Sequence, residues 1–216
     1  MNQTVSLSAP AKVNLFLRVL RRRSDGFHEL ETLFQAIDYC DDVLVKLNDL
    51  GQISLEVTGL EVGPVKDNLA YRAASAYREA SGLQEGIHVQ LTKHIPSGAG
   101  LGGGSSDAAA VLRGLDYLTE SLLDTEALSK IASNIGSDVS FFLCHSTTAL
   151  AHGRGEILEP IKPLPEKALL LILPPVHVST RNAYEMLGRS SDDNGHHIGL
   201  SLIRARRDWD TIISSA

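Results

Sequence analysis

The residues best suited to chemistry form one stretch, positions 96–110, which reads PSGAGLGGGSSDAAA. Five of the seven residues from 98 to 104 are glycine, and a run of small helix-forming residues follows. Glycine lets successive backbone N–H groups converge on one point, and a helix start adds unpaired N–H donors and the positive end of a dipole. Ser105, Ser106 and Asp107 can cap that helix. The stretch therefore predicts a backbone cradle for an anion, most naturally a polyphosphate.

Two other phosphate-binding motifs fit this stretch less well. Gly98, Gly100 and Gly103 match the dinucleotide fingerprint G-x-G-x-x-G, but that motif needs a second strand ending in an acidic residue about 20 positions later. The segment up to Asp124 is instead typical of a helix followed by a cap. A Walker A loop is excluded because Ser105, rather than lysine, follows the last glycine. A glycine-rich turn without a ligand stays open as an alternative, although so many glycines cost backbone entropy on folding.

The elements around the loop follow from local patterns. Period-two alternation predicts strand structure in the segments 4–20, 29–38, 42–48, 52–58, 87–93 and 147–152, with 42–48 and 52–58 joined as a hairpin at Asn48–Gly51. Helices are predicted over 68–81 with Asp67 as N-cap, over 105–120, and from an Asp124 cap to about 134. Strand, glycine loop and helix thus follow one another in the order that a phosphate cradle requires.

The proline-rich stretch Pro160–Pro165 is the best candidate for a domain boundary. Beyond it, the apolar run 168–173 predicts a central strand covered on both faces. Helices are predicted over 181–187 and from about Leu200. Because no convincing partner strand follows, a chain that ends at Ala216 is expected to associate through 168–173 and to have little activity.

Composition narrows the function classes. The 216 residues are 43% hydrophobic and 21% charged, which is ordinary for a globular protein. The net charge of −6 argues against nucleic-acid binding, and the basic clusters at 21–23 and 204–207 are short. The first residues lack the layout of a signal peptide and no apolar run reaches 18 residues, which predicts a cytoplasmic protein that does not enter a membrane. Cys40 and Cys144 are the only cysteines, so buried thiols are expected rather than a disulfide or a metal site.

The motif Pro-x-x-x-Gly-Leu-Gly-Gly-Gly-Ser-Ser at 96–106 resembles the ATP loop of the GHMP kinases, a family that includes galactokinase, homoserine kinase and mevalonate kinase. The resemblance implies an α+β GHMP kinase fold, with an N-terminal domain of the ribosomal-protein-S5 type over 1–160 and the beginning of a smaller sheet-and-helix domain over 165–216. It also implies ATP and Mg²⁺ as cofactors. By the same resemblance, the residues that bind ATP are Pro96, Ser97, Gly98, Ala99, Gly100, Leu101, Gly102, Gly103, Gly104, Ser105 and Ser106, with Asn68, Leu69 and Lys93 lining the adenine pocket.

Further blocks resemble one branch of this family, which phosphorylates the 2-hydroxyl of a cytidine-diphosphate-linked methylerythritol on the non-mevalonate route to isoprenoid precursors. The blocks are APAKVNLFLRVLRRRSDGFHELETLFQAIDYCDDV, KDNLAYRAA, IGSDVSFFL, TALAHGRGEILEPI and VSTRNAY. Together with the loop they cover nearly all of residues 8–188 in one order. Such a series is far more specific than the loop by itself.

The resemblance assigns roles to individual residues. Phosphoryl transfer needs an acceptor hydroxyl that is aligned and partly deprotonated, and a γ-phosphate whose charge is neutralised. Asp138 would be the base, and Lys12 a compact cation that pairs with it and stabilises charge near the transferring group. From the residues alone, the pattern favours a solvent-facing strand lysine for Lys12 and a cap residue flanking a helix for Asp138.

The substrate residues are assigned in the same way. The cytosine ring would stack between Phe27 and Tyr184, with His28 hydrogen-bonding its polar edge, while Asn14 and Thr180 would hold the erythritol end or its diphosphate. Phe27 stands where tyrosine is common in the family, and Tyr184 where phenylalanine occurs, so both positions keep an aromatic face.

Two alternatives stay open. One is another GHMP kinase for a small alcohol such as homoserine, for which an aromatic slot at Phe27 and His28 would have no use. The other is a non-catalytic nucleotide-binding module, because family members carry a second Gly-Ser-Gly-x-Ser loop near the C-terminus and no such loop follows residue 156. The oligomeric state is not predicted.

Overall fold

The computed structural model of the chain describes residues 3–144 and 146–174, together with Met186. We number the strands and helices in chain order. The strands are β1 (Thr4–Arg22), β2 (His28–Asn48), β3 (Ile53–Gly59), β4 (Gly86–Lys93), β5 (Thr148–Gly153) and β6 (Ile157–Pro160). The helices are α1 (Leu69–Ser81), α2 (Gly103–Leu118), α3 (Thr125–Ile135) and α4 (Ser137–Leu143), and a 3₁₀ turn (Val65–Asp67) precedes α1. The mixture of sheet and helix confirms the predicted α+β class.

The chain divides into two compact units, which are described separately. Of the described residues, the first unit contains 3–12, 37–97 and 101–144, and the second contains 13–36, 98–100 and 146–174. The long strands β1 and β2 therefore each contribute to both units. The domain boundary predicted at 160–165 stays a prediction.

In the first unit, β4 lies between β2 and β3. It pairs antiparallel with β2 from Asp42↔Thr92 to Asn48↔Gly86, and parallel with β3 from Ile53↔Ile87 to Gly59↔Lys93. The predicted hairpin between β2 and β3 is therefore wrong. A fully buried strand needs a partner on each edge, and β4 supplies the buried centre of this sheet through Ile87, Val89 and Leu91, which are at most 1% exposed.

The helices of the first unit pack on one another through small residues and leucines. Ala70, Ala73 and Ala74 of α1 are fully buried, and so are the alanines at 108–110 of α2. Because these side chains are small, the two helix backbones can approach closely. The N-cap of α1 is Asn68, whose side chain accepts a hydrogen bond from the N–H of Ala70 at 2.9 Å. The prediction of Asp67 as cap is thus wrong by one residue, because Asp67 belongs to the 3₁₀ turn.

In the second unit, the first half of β2 pairs with β5 from Leu30↔Gly153 to Gln35↔Thr148, and β5 pairs with β6. Its core is a cluster of Phe16, Leu33, Leu150 and Ile161. One expectation fails here, because 168–173 forms no strand and Leu170 and Ile172 are 86% and 76% exposed. An apolar run becomes a buried strand only where neighbouring strands satisfy its backbone, and no strand of the described residues pairs with it. The helices predicted over 181–187 and from Leu200 fall outside the described residues, apart from Met186.

Candidate active site

The glycine stretch joins the end of β4 to the start of α2, as the sequence predicts. Gly98, Gly100 and Gly102 have φ angles of +74°, +75° and +70°, a left-handed conformation that other residues rarely adopt. Gly102 is the N-cap of α2 and makes no side-chain hydrogen bond to the helix. The predicted capping by residues 105–107 is therefore wrong, since the helix begins earlier and these residues lie in its first turns. As a result, no side-chain cap competes with a ligand for the N–H groups at the start of α2.

A serine hydroxyl at this helix start lacks a partner. Ser106 is 1% exposed, and its Oγ has no hydrogen-bond partner among the described residues. Its own N–H donates to the carbonyl of Gly102 at 2.9 Å, so the residue is fixed by helix geometry. A buried hydroxyl without a partner is costly. A phosphate oxygen held at the loop is a partner that would satisfy it.

Lys12 and Asp138, which lie 126 positions apart in the sequence, meet beside the end of the glycine stretch. The Lys12 Nζ is 3.6 Å from the Asp138 Oδ2, with 8% of the lysine side chain exposed and 32% of the aspartate side chain. The backbone N–H of Lys12 donates to the carbonyl of Leu101 at 2.9 Å. A Cβ added at Gly102 would lie 3.2 Å from the Lys12 Cγ, so the lysine stem runs directly against the loop.

Local structure explains how Asp138 reaches this place. It lies in the first turn of the short helix α4, directly after the extended residue Gly136 at the end of α3. α4 is anchored by Val139, Phe141 and Phe142, which are all buried. The apolar side of α4 thus faces the core, and its carboxylate stays partly open to solvent.

Lys93 occupies a different environment from Lys12. Its side chain is 3% exposed, and its Nζ donates to the carboxylates of Asp41 and Asp107, the second at 2.8 Å. Burial raises the pKa of the Asp107 carboxyl to about 7, and the ammonium of Lys93 partly offsets this effect. Sequence reasoning missed this cluster, because Asp41 lies in an acidic run that is typical of a surface strand end and is 52 residues from Lys93.

Two further residues assigned to the nucleotide lie near the same helix start. Asn68 uses its side-chain oxygen to cap α1, and Leu69 is the first residue of that helix. The Leu69 Cδ1 lies 3.7 Å from the point that a Cβ on Gly104 would occupy. Leu69 therefore borders the first turn of α2. The adenine roles of Asn68, Leu69 and Lys93 stay predictions.

Asn14, Phe27 and His28, which are assigned to the substrate, lie in the second unit. Asn14 donates from its Nδ2 to the Thr32 Oγ1 at 2.7 Å, and the Thr32 hydroxyl donates to the carbonyl of Phe16 at 2.7 Å. This chain of hydrogen bonds fixes the Asn14 amide on β1. Thr180 and Tyr184 lie outside the described residues.

Phe27, which precedes β2, is 55% exposed. The Arg154 guanidinium lies over the ring with its Cζ 5.0 Å from the ring centroid, within the range of a cation–π contact. Arg154 is in turn held by Glu156, whose Oε2 accepts its backbone N–H at 2.5 Å. His28 follows as the first residue of β2. An exposed aromatic ring steadied by a cation is a surface on which a flat base can stack.

Two findings concern other classes of site. Within 3–144 and 146–174, no group of three or more His, Cys, Asp and Glu side chains is arranged to hold a metal ion. None of the helices in that part of the chain is long and apolar enough to cross a membrane. The two cysteines, Cys40 and Cys144, are both free and half-buried.

Comparison with protein families gives one match, the GHMP kinases N terminal domain, over residues 68–146. This region contains the glycine stretch, Lys93 and Asp138. The matched segment therefore includes Asp138 of α4, which contacts Lys12, and Asp107 of α2, which contacts Lys93.

The chain is also similar to individual proteins. It is 44% identical over 182 residues to the 4-diphosphocytidyl-2-C-methyl-D-erythritol kinase of Shouchella clausii. This match covers 84% of this chain and 61% of that relative. It is 43% identical over 198 residues to the same-named protein of Geobacter metallireducens, which covers 91% of this chain and 69% of that relative. The chain thus spans between three fifths and seven tenths of the length of these relatives.

A solved structure gives the same result. The crystal structure of a 4-(cytidine 5'-diphospho)-2C-methyl-D-erythritol kinase matches with a TM-score of 0.73 and 37% sequence identity. The match covers 98% of this chain and 76% of that one.

Proposed function

Since this chain belongs to the GHMP kinase family and, within it, to the 4-diphosphocytidyl-2-C-methyl-D-erythritol kinases, we propose that it transfers the γ-phosphoryl group of ATP to the 2-hydroxyl of 4-diphosphocytidyl-2-C-methyl-D-erythritol. The ATP would bind as its magnesium complex, in which the phosphate oxygens hold the ion. The product would enter the non-mevalonate route to isoprenoid precursors.

One observation carries this proposal: the Lys12–Asp138 pair lies beside the C-terminal end of the glycine stretch. Lys12 hydrogen-bonds Leu101 through its backbone, and its ammonium is 3.6 Å from the Asp138 carboxylate. A cation and a carboxylate next to a phosphate cradle are the two groups that phosphoryl transfer to an alcohol requires.

The cradle would hold the phosphates without a side-chain cap. The N–H groups at the start of α2 point toward the glycine stretch, the helix dipole favours negative charge there, and the buried Ser106 hydroxyl would donate to a phosphate oxygen. These contacts need no lysine in the loop, which is why the Walker A pattern is absent.

The chemical step would then use the pair in two roles. Asp138, with about a third of its side chain exposed, would accept the proton of the substrate hydroxyl as the oxygen bonds to the γ-phosphorus. The bond from the γ-phosphorus to the β–γ bridging oxygen would break in the same step, and ADP would leave. Lys12 stabilises the negative charge that spreads over the equatorial phosphoryl oxygens, and its buried stem keeps the ammonium in place. Positioning and charge stabilisation supply most of the rate in this class of reaction.

The cytidine end of the substrate would be recognised in the second unit. Phe27 offers a ring face for cytosine, His28 a hydrogen-bonding group for its polar edge, and Asn14 an amide for the erythritol or diphosphate part. Thr180 and Tyr184 would complete this set. The Phe27 ring is 55% exposed, which leaves area on which a base could stack.

A direct assay tests the function. The chain is incubated with MgATP and the cytidyl substrate, and the phosphorylated product is followed by mass spectrometry and ³¹P NMR. Asp138→Asn should lower turnover by about 10²–10⁴-fold, the usual range for loss of a positioned base, while the Kd for MgATP stays close to that of the unchanged chain. Asp42→Asn makes the same change on a side chain that is 69% exposed and serves as the matched control.

Three outcomes would overturn the proposal. If the Asp138→Asn chain keeps the rate of the unchanged chain, Asp138 is not the base. If homoserine is phosphorylated and the cytidyl compound is not, the chain acts on a small alcohol instead. ATP binding without transfer to any acceptor would favour the non-catalytic module.

A further inference from the structure

Both ends of the glycine stretch are attached to one buried ammonium. Lys93 is the last residue of β4 and stands three positions before Pro96, where the stretch begins. Its two partners come from different elements, Asp41 from β2 and Asp107 from α2. All three side chains are nearly inaccessible, at 3%, 0% and 1% of residue exposure.

On the side that precedes the stretch, Asp41 fixes the backbone. Its Oδ1 accepts hydrogen bonds from the N–H groups of His94 at 2.5 Å and Ile95 at 2.8 Å, and its Oδ2 accepts from the Lys93 Nζ. Three consecutive residues leading into Pro96 are therefore tied to one carboxylate on β2. Hydrogen bonds to a charged acceptor are among the stronger ones in proteins.

On the side that follows, the same ammonium holds α2. Its Nζ donates to the Asp107 Oδ2 at 2.8 Å, one turn inside the helix. A Cβ added at Gly103 would lie 3.2 Å from that Nζ and 2.9 Å from the Ile95 Cγ2, so the first residue of α2 packs directly on the end of the preceding segment. Lys93 therefore sets the distance between the segment that leads into the glycine stretch and the helix α2 that follows it.

The arrangement is costly for a purely structural contact. Asp107 has a second carboxylate oxygen, Oδ1, that is buried and has no hydrogen-bond partner in the described residues. Replacing buried ionic clusters by apolar side chains of similar volume is often neutral or stabilising, so stability alone does not favour one here. The Lys93 cluster does have a geometric effect, because it fixes the position of α2 relative to the segment that precedes the glycine stretch.

We propose that Lys93 is a positioning residue for the triphosphate of ATP. Through Asp41 and Asp107 it fixes the two segments that flank the glycine stretch, so that the loop N–H groups are already arranged when the nucleotide binds. This inference rests on the proposed kinase function and deepens it. It gives Lys93 a role that does not depend on which nucleobase the nucleotide carries, in contrast to a contact with adenine. Lowering the reorganisation needed on binding is how such a preset loop gains affinity.

The test uses two substitutions at Asp107 and one at Lys93. Asp107→Leu removes the acceptor on α2 and leaves the Lys93–Asp41 pair intact. Asp107→Asn is the conservative control, because its amide oxygen can still accept from the Lys93 Nζ. Lys93→Met removes both attachments. Kd values for MgATP and MgGTP are measured by calorimetry at a temperature where thermal unfolding shows each variant to be folded.

The expected result is a loss of nucleotide affinity that does not depend on the nucleobase. Asp107→Leu and Lys93→Met should each raise the Kd for MgATP and for MgGTP by the same factor, about tenfold or more, because the loop must then be ordered at the expense of binding free energy. Asp107→Asn should stay within about threefold of the unchanged chain, a difference of less than 1 kcal/mol. In turnover assays of Asp107→Leu the KM for ATP should rise while kcat changes little, since the catalytic pair is untouched.

Three results would overturn the inference. Unchanged Kd values for folded Asp107→Leu would show that the cluster is structural only, as would equal losses in Asp107→Leu and Asp107→Asn. A Lys93→Met variant that loses affinity for MgATP but not for MgGTP would show that Lys93 contacts adenine. The binding measurements separate this inference from the kinase proposal, because they are decided by nucleotide affinity whether or not phosphoryl transfer is detected.

Discussion

The most quantitative prediction concerns the stability of the Asp107→Asn variant at different pH values. Asp107 is 1% exposed, and its burial raises the pKa of the carboxyl from 3.8 to about 7. A carboxyl whose pKa is raised by folding binds its proton more tightly in the folded state. The folded state is therefore favoured at low pH, and this contribution is lost as the pH rises from the unfolded value toward 7.

The size of the effect follows from the same two values. At pH 5 the carboxyl is ionised in the unfolded chain and protonated in the folded one, and above pH 7 it is ionised in both. Each unit of pH in this window lowers the free energy of unfolding by 1.36 kcal/mol, so about 3 kcal/mol is lost between pH 5 and pH 8. Asparagine has no proton to lose, so the Asp107→Asn variant lacks this term.

The assay is urea unfolding of both proteins at several pH values from 5 to 8. The difference in free energy of unfolding, variant minus unchanged chain, should rise by about 3 kcal/mol in favour of asparagine as the pH increases. Titrating groups that do not contact Asp107 contribute equally to both proteins and cancel in this difference. Glu126→Gln makes the same isosteric change at an exposed position on α3 and serves as the control.

Parallel stability curves for Asp107→Asn and the unchanged chain would refute this reasoning, because they would show that burial does not retain the proton on Asp107. The same parallel curves are expected if the Lys93 ammonium outweighs burial and keeps the carboxylate charged, because a folded pKa at or below 3.8 changes nothing between pH 5 and pH 8. This result would leave the attachment of α2 to Lys93 in place, since it depends on the hydrogen bond rather than on the proton.

The remaining predictions concern the loop and the aromatic ring. Gly102→Ala should weaken MgATP binding and slow transfer more than Gly100→Ala, because a Cβ at Gly102 would lie 2.9 Å from the Phe142 ring and 3.2 Å from the Lys12 stem, whereas nothing lies within 4 Å of one at Gly100. Both residues have positive φ, so the roughly 1–2 kcal/mol cost of a left-handed backbone is common to both, and equal losses in calorimetry would contradict the role of the clash. Phe27→Ala should weaken cytidine diphosphate binding by roughly 5–150-fold, the equivalent of about 1–3 kcal/mol of stacking, while Phe27→Trp keeps an aromatic face and retains affinity. Equal affinity of Phe27→Ala and the unchanged chain in a fluorescence titration would show that the ring does not bind the base.

Local sequence signals predicted the elements next to the loop well. β4, the glycine stretch and α2 follow one another as expected, and the ends of α1 and α3 lie within a residue or two of the glycines at 82 and 136 that terminate them. Such signals act over a few residues, so the sequence contains them directly. Capping was predicted correctly at α3, where the Asp124 side chain accepts a hydrogen bond from the N–H of Ala127 at 2.8 Å. It was predicted wrongly at α1 and α2, whose N-caps are Asn68 and Gly102.

Longer-range features were not predictable in the same way. The insertion of β4 between β2 and β3 depends on the crossover through α1, and a turn signal at Asn48–Gly51 indicates a reversal of the chain but not which strand becomes the neighbour. The apolar run at 168–173 shows the same limit, because its pattern is compatible with a buried strand while its burial depends on partners elsewhere in the chain.

The two lysines beside the glycine stretch show what tertiary structure adds to residue type. Both Lys12 and Lys93 stand on strands and each is close to a carboxylate, so the sequence alone gives no reason to separate them. Lys93 makes hydrogen bonds to two inaccessible carboxylates, and a cation held in this way cannot turn to a ligand without leaving buried charges unpaired. The Lys12 Nζ is 3.6 Å from Asp138, beyond ordinary hydrogen-bond distance, and that carboxylate is about a third exposed. A polar group that approaches from solvent can therefore reach the Asp138 carboxylate without first breaking a short hydrogen bond to Lys12. This difference in contact, rather than in residue type, is why we propose the reacting phosphate and hydroxyl for the Lys12–Asp138 pair and the arrangement of the loop for Lys93.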